Sequence, residues 1–219
     1  MREGKFSLFV LLAVLLAALA AGGAGEGQAQ AGAKSPLDRF SAEQRQKLLA
    51  GEAVYEQVKT QDADGVTHGH GESYVIIAAP VAECWKIFTR FDEMQLYFPR
   101  KKLSEVIESS PGRAVVKKVF DFYVIEMQYT IDYKIDEQAR RVDFQLDPKY
   151  PHDINDTAGF FLFEKIDEKR TLFSYAATKV DTGVKVPGFI QDYLTSRDLP
   201  AVAANVKKRI ESGGKWTKD

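Results

Sequence analysis

The chain has 219 residues, with 30 Lys+Arg against 31 Asp+Glu and a formal net charge of −1. That length fits one domain with an appendage, and the charge balance argues against a nucleic-acid partner, which calls for a basic excess on one face. Apolar residues at 45% and charged residues at 28% exclude general disorder, while a single cysteine excludes a disulfide framework and any zinc site built on several thiolates.

Arg2 and Lys5 flank the start of Phe6 to Ala21, an uncharged stretch of 16 residues dominated by Leu, Ala, Val and Phe. A membrane-spanning helix needs about 20 apolar residues. A basic start, a short apolar core and small residues after it describe a secretory signal peptide over residues 1–31, cleaved after Ala20 or after Ala31. An uncleaved N-terminal anchor is the alternative; no cysteine follows the apolar core, which excludes a lipoprotein anchor. Removing the segment leaves the charge balance unchanged. Export to the periplasm or the medium would place Cys84 in an oxidising compartment without an intramolecular partner. It reads as a buried small hydrophobe, with a reactive thiol as the alternative.

Residues 32–51 form a linker and a short helix, for which Ser41 and Gln44 have the spacing of a capping box and Gly51 the stop. Ala53 to Thr60 and Val66 to Ala79 are β-prone, with a turn at Asp62 to Gly65 between them. At Pro80 the period changes. Val81, Cys84, Trp85 and Phe88 follow helical spacing with Pro80 as the first helical residue, and a second helical piece runs to about Tyr97. Beyond Pro99 the period returns to two. Leu103 to Glu108 is a strand, Ser110 to Gly112 a turn, and Ala114 to Gln128 one long strand. Tyr129, Ile131, Tyr133 and Ile135 then alternate cleanly with polar residues. Arg141 to Asp147, Ala158 to Ile166 and Thr171 to Val180 complete the strands. Pro187 and Gly188 open a helical stretch with Phe189, Ile190, Tyr193 and Leu194 on one stripe. Pro200 interrupts it, Leu199, Val202, Ala203, Val206 and Ile210 continue it, and Gly213-Gly214 close it.

Val75-Ile76-Ile77-Ala78-Ala79-Pro80, followed by Val81 to Trp85, resembles the first strand and helix start of the START-like (SRPBCC) superfamily. The likeness is greatest to the branch that groups polyketide cyclases and dehydrases with coenzyme Q-binding START-like proteins. Phe91-Asp92, Tyr97-Phe98-Pro99, Gly159-Phe160-Phe161 and Val186-Pro187-Gly188 extend it, over about Gly71 to Ser212. The resemblance implies an α+β helix-grip fold at residues 52–212, followed by a tail at 213–219. A curved antiparallel sheet of about six to seven strands would wrap a long C-terminal helix, with two short helices after the first strand and a cavity between sheet and helix.

The aromatic share is 11%, and most aromatics fall on strands or amphipathic helices. Residue by residue they read as core; collectively they fit the wall of a cavity. Buried tyrosine hydroxyls need partners and would orient a quinone carbonyl or a sterol hydroxyl. Phe122, Tyr123, Tyr129, Tyr133, Phe144, Tyr175, Phe189 and Tyr193 are the candidate ligand contacts. The function expected is an exported carrier of a lipid, sterol, isoprenoid or quinone, with membrane contact for ligand exchange, no cofactor, no metal and no nucleic acid. The alternative is a polyketide cyclase or dehydratase using His152, Asp153 and Tyr175 as its acid/base group, although His152 and Asp153 also read as an ordinary solvated loop. His68 and His70 lie two apart on one strand face, a possible metal geometry without a third ligand.

Overall fold

The computed structural model describes residues 35–61, 67–121, 126–183 and 197–218. The segments 1–34, 62–66, 122–125 and 184–196 lie outside them. So do the signal-peptide and linker expectations, the turn at Asp62 to Gly65, and the helical stripe of Phe189 to Leu194.

A 3-10 turn at Pro36–Arg39 leads into α1, Ala42–Leu49. The capping box closes as its spacing predicts. Ser41 Oγ accepts from the Gln44 amide at 3.2 Å, and Gln44 Oε1 accepts from the Ser41 amide at 3.0 Å. Strands β1, Val54–Gln61, and β2, Thr67–Ile77, follow as an antiparallel pair. Pro80 stays extended (φ −60°, ψ 147°) and caps α2, Val81–Phe88, one residue later than expected. A 3-10 segment, Phe91–Leu96, follows.

Six more strands complete one antiparallel sheet: β3, Lys101–Ser110; β4, Arg113–Asp121; β5, Glu126–Asp136; β6, Arg141–Leu146; β7, Asp156–Lys165; and β8, Thr171–Asp181. Their order is β1-β2-β8-β7-β6-β5-β4-β3. Eight strands therefore stand where six to seven were expected, and two of them precede the helices instead of one.

One sequence expectation is overturned outright. Ala114 to Gln128 is not a single strand, because Asp121 pairs with Glu126 and β4 and β5 are antiparallel neighbours. The four residues between them, 122–125, contain no Gly, Pro, Asn or Asp to announce a turn in the sequence.

The last helix, α3, spans Leu199–Glu211. Pro200 does not interrupt it but stands in its first turn, where the missing N–H costs nothing. Ser73 Oγ donates to the Leu199 carbonyl at 2.9 Å and Lys207 Nζ to the Ile76 carbonyl at 2.8 Å, fixing α3 against β2. Gly213 and Gly214 both take positive φ and end the helix. The following residues, expected as a tail, fold back instead. Trp216 packs against the core, and the Lys218 amide donates to the Leu96 carbonyl at 2.8 Å.

Two apolar clusters result. The larger joins the sheet's inner face to α2, the 3-10 segment and α3, through Phe88, Phe91, Phe161, Phe163, Phe173 and Val206. The smaller packs Leu37, Phe40 and Leu48 against Tyr74, Ile76 and Leu172 on the opposite face. Among the described residues no helix is long and apolar enough to cross a membrane.

Candidate functional site on the inner face of the sheet

Strand pairing sets which side chains meet. Tyr133 lies opposite Phe144, Phe144 opposite Gly159, and Phe161 opposite Tyr175. Their rings form one continuous inner surface: Phe144 lies 6.4 Å from Tyr133, 5.2 Å from Phe161 and 6.2 Å from Tyr175. Tyr129 extends it by stacking on Phe120 at 5.5 Å. Four of the eight sequence candidates, Tyr129, Tyr133, Phe144 and Tyr175, are thus brought together. Phe122, Tyr123, Phe189 and Tyr193 lie outside the described residues.

The 3-10 segment closes one end of this surface. Phe91 stacks on Tyr133 at 4.5 Å with the rings 11° from parallel, and Met94 is fully buried beside it. Tyr97 is buried with no hydrogen-bond partner for its hydroxyl among the described residues. Burial raises the pKa values of Tyr97, Tyr129 and Tyr133, and pushes Tyr175 up to about 12, so all four phenols stay neutral.

At this end stand two residues that the sequence reading did not single out. Lys101 is 2% exposed and Lys118 6%. Lys118 Nζ donates to the Tyr133 hydroxyl. Lys101 Nζ sits 4.0 Å from the centre of the Phe98 ring and 3.7 Å from Met94 Sδ. The two amines are neighbours across Met94 and Tyr133, since Lys101 Nζ and the Tyr133 hydroxyl each lie 3.7 Å from Met94 Sδ. Burial, then the neighbouring Lys118 and Lys218, hold Lys101 well below the ordinary lysine range. Burial likewise lowers Lys118 to about 7, against a smaller opposing effect of the neighbouring Lys101. Among the described residues neither amine has a carboxylate partner. Lys218 Nζ encloses the pair from outside, donating to the carbonyls of Phe98 at 2.6 Å and Lys101 at 2.7 Å.

Lys101 reaches the interior through two backbone irregularities. Arg100 takes φ +57°, rare for a residue other than glycine, and the ladder slips between Lys101 and Leu103. An extra residue in a strand re-aims its neighbours, so Lys101 and Ser104 both point inward despite their odd spacing. Ser104 Oγ donates to the Phe91 carbonyl at 2.6 Å, tying the segment to β3. One signal for Lys118 was available: Ala114, Val116, Lys118 and Phe120 share a strand face, and a lysine among apolar neighbours there has nowhere else to point.

The acid/base group proposed from sequence does not assemble. His152 is an exposed loop residue whose Nδ1 lies 2.7 Å from the Ile154 carbonyl. Asp153, also exposed, accepts from the Gln128 amide at 2.8 Å and so serves the junction of loop and strand. Tyr175 faces the interior. His70 contacts Glu72 at 2.7 Å, and Glu72 in turn accepts from the Tyr74 hydroxyl; the His68 side chain lies outside the description. No group of three or more His, Cys, Asp or Glu placed to hold a metal occurs among the described residues.

Cys84 is fully buried on α2, and burial pushes its thiol up to about 11 from an ordinary 9.0. It behaves as a packing residue. Native protein is expected to react with an aromatic disulfide reagent at least roughly a hundredfold more slowly than the urea-unfolded chain, given the thiolate fractions alone. Equal rates in a stopped assay would show the thiol to be accessible.

No family model matches the chain, and no curated protein matches it. Solved structures do. A STAR-related lipid transfer protein from Xanthomonas axonopodis superposes with a TM-score of 0.56 at 11% identity, covering 70% of this chain and 98% of its own. The Zhui aromatase/cyclase from a Streptomyces species gives 0.54 at 18% identity, with coverages of 74% and 99%. Human StAR-related lipid transfer protein 5 gives 0.53 at 11%, with 74% and 83%. This chain carries the START-like helix-grip fold. At such identities the likeness concerns the fold, with the sheet's inner face and α3 in the places the resemblance implied. β1 and the 3-10 turn with α1 stand ahead of the strand and helix on which the sequence resemblance begins.

Proposed function

We propose that this START-like protein is an exported carrier that holds an apolar ligand of the lipid, sterol, isoprenoid or quinone class between the inner sheet face and α3. The observation that carries the reading is the convergence of Tyr129, Tyr133, Phe144 and Tyr175 on that face, with polar atoms at one end and aromatic rings along the rest. Burial of such a ligand supplies about 25 cal/mol per Å² of apolar area, so affinity needs many contacts and few polar groups. The lipid-transfer proteins among the structural neighbours support a carrier, and the exposure of His152 and Asp153 in this chain weighs against the cyclase alternative. Export rests on residues 1–31, whose basic start and short apolar core have the form of a signal peptide. A carrier of this kind exchanges its ligand at a membrane surface.

Native mass spectrometry of protein purified from its own host is expected to reveal a co-purifying apolar molecule, released on unfolding. A fluorescent apolar dye bound by the emptied protein should be displaced by the extracted material. Protein that arrives empty, and whose dye is displaced by no lipid, would refute the carrier.

A further inference from the structure

We propose that the ligand carries a carboxylate, held between the amines of Lys101 and Lys118 with the Tyr133 hydroxyl beside it, so that the cargo is an acidic lipid of the fatty-acid kind. The inference rests on the carrier reading and narrows it to one head-group chemistry.

The argument is one of charge balance. Cations are buried in proteins when they are paired, and elsewhere in this fold that holds. Arg209, 4% exposed, pairs with Glu93 at 2.7 Å, and the Arg100 guanidinium meets Asp198 at 2.9 Å. Lys101 and Lys118 stand apart from this pattern. They lie side by side in the interior, and among the described residues their contacts are a thioether, three aromatic faces and a phenol. Each ammonium has three N–H donors, and these contacts leave donors unused. An anion between the amines would accept from both, would let both be protonated at once, and would form charge-assisted bonds of the stronger kind.

The placement is also specific. Two irregularities of the backbone, the positive φ at Arg100 and the slipped ladder after Lys101, turn that side chain inward beside Lys118. Strained backbone persists where the surrounding structure determines it, and such sites cluster where ligands are clamped. The two amines lie at the end closed by Phe91, Met94 and Phe98. The aromatic surface continues from Tyr133 through Phe144 to Tyr175. That layout suits a molecule with one anionic end and a long apolar remainder.

The test compares dodecanoic acid with dodecanol, which share a chain and differ in the head group, by displacement of a bound apolar dye from the emptied full-length protein. The acid is expected to bind at least about tenfold more tightly, a modest return for two charge-assisted bonds. In Lys118→Met and in Lys101→Met this preference should fall to within about twofold, with dodecanol binding retained and showing that the apolar part of the site is intact. Equal binding of acid and alcohol by the unaltered protein would overturn the head-group inference and leave the carrier standing. Retention of the full preference in both variants would also overturn it, since the selectivity would then arise elsewhere. Failure of both compounds to displace the dye would remove the carrier reading and this inference together.

Discussion

Lys118→Met is expected to stabilise the ligand-free protein while weakening its selection of an acid. Replacing buried ion pairs by apolar side chains of similar volume is neutral or gains up to about 4 kcal/mol in other proteins. An amine buried without a carboxylate has less to lose, and methionine follows the path of a lysine stem with a flexible, polarizable chain. The cost is the lost partner of the Tyr133 hydroxyl, so the net gain should fall in the lower half of that range. The sign of the pH effect follows from the lowered lysine. In the unfolded chain Lys118 titrates near 10.5, in the fold near 7. Between those values the unfolded state binds a proton that the folded state does not, and stability rises with pH. The slope is at most about 1.4 kcal/mol per pH unit for each lysine in this condition. Above about pH 9 the buried Cys84, and then the buried tyrosines, act in the opposite direction, because their pKa values are raised in the fold. Urea unfolding of the empty protein between pH 7 and 9 should therefore show stability increasing, with a shallower rise in Lys118→Met. A flat profile in the unaltered protein would mean that the amines are not buried as described.

Gly159→Ala is expected to cost about 3 kcal/mol or more, at the upper end of what overpacking does. A Cβ built there would lie 2.0 Å from the Ala176 carbonyl oxygen and 2.4 Å from Phe144 Cζ. The first of these is backbone in the neighbouring strand and cannot recede without disturbing the ladder. The second is a ring in the proposed site, so dye affinity should fall together with stability. The register between β7 and β8 shifts beside this residue, which is how the two strands come so close. Gly213→Ala supplies the contrast. It has open space around it and a φ of +66°, so only the left-handed conformation is penalised, by about 1 to 2 kcal/mol. If both glycines cost the same in equilibrium denaturation, the close approach at Gly159 does not exist.

Much of the fold was legible as period and punctuation. Ser41 with Gln44 announced α1, and Val81, Cys84, Trp85 and Phe88 announced α2. The alternation from Tyr129 to Ile135 put Tyr129 and Tyr133 on the same inner face where the structure holds them. These features are local: a cap is satisfied within three residues, and an alternation repeats every two. The reversal between Asp121 and Glu126 escaped because no turn-forming residue marks it, and an apolar run reads the same whether it continues or folds back. His152 looked like a catalytic residue by type, and its exposure is a property of the loop rather than of the imidazole.

The sequence by itself determined the order of elements, the alternating faces and, through the residues of the resemblance, a sheet that grips a helix. Composition argued against a nucleic-acid partner, held too few cysteines for a thiolate metal site, and showed an aromatic excess without saying what surrounds it. Only the tertiary structure decided that two lysines share the interior with that aromatic surface. Which face a strand residue occupies depends on ladder register, and one slipped position reverses every side chain beyond it. Lys101 and Ser104 share a face because of such a slip. The length, charge and hydropathy of the chain are blind to it, since the same residues in an unbroken ladder would put one of those two side chains in water.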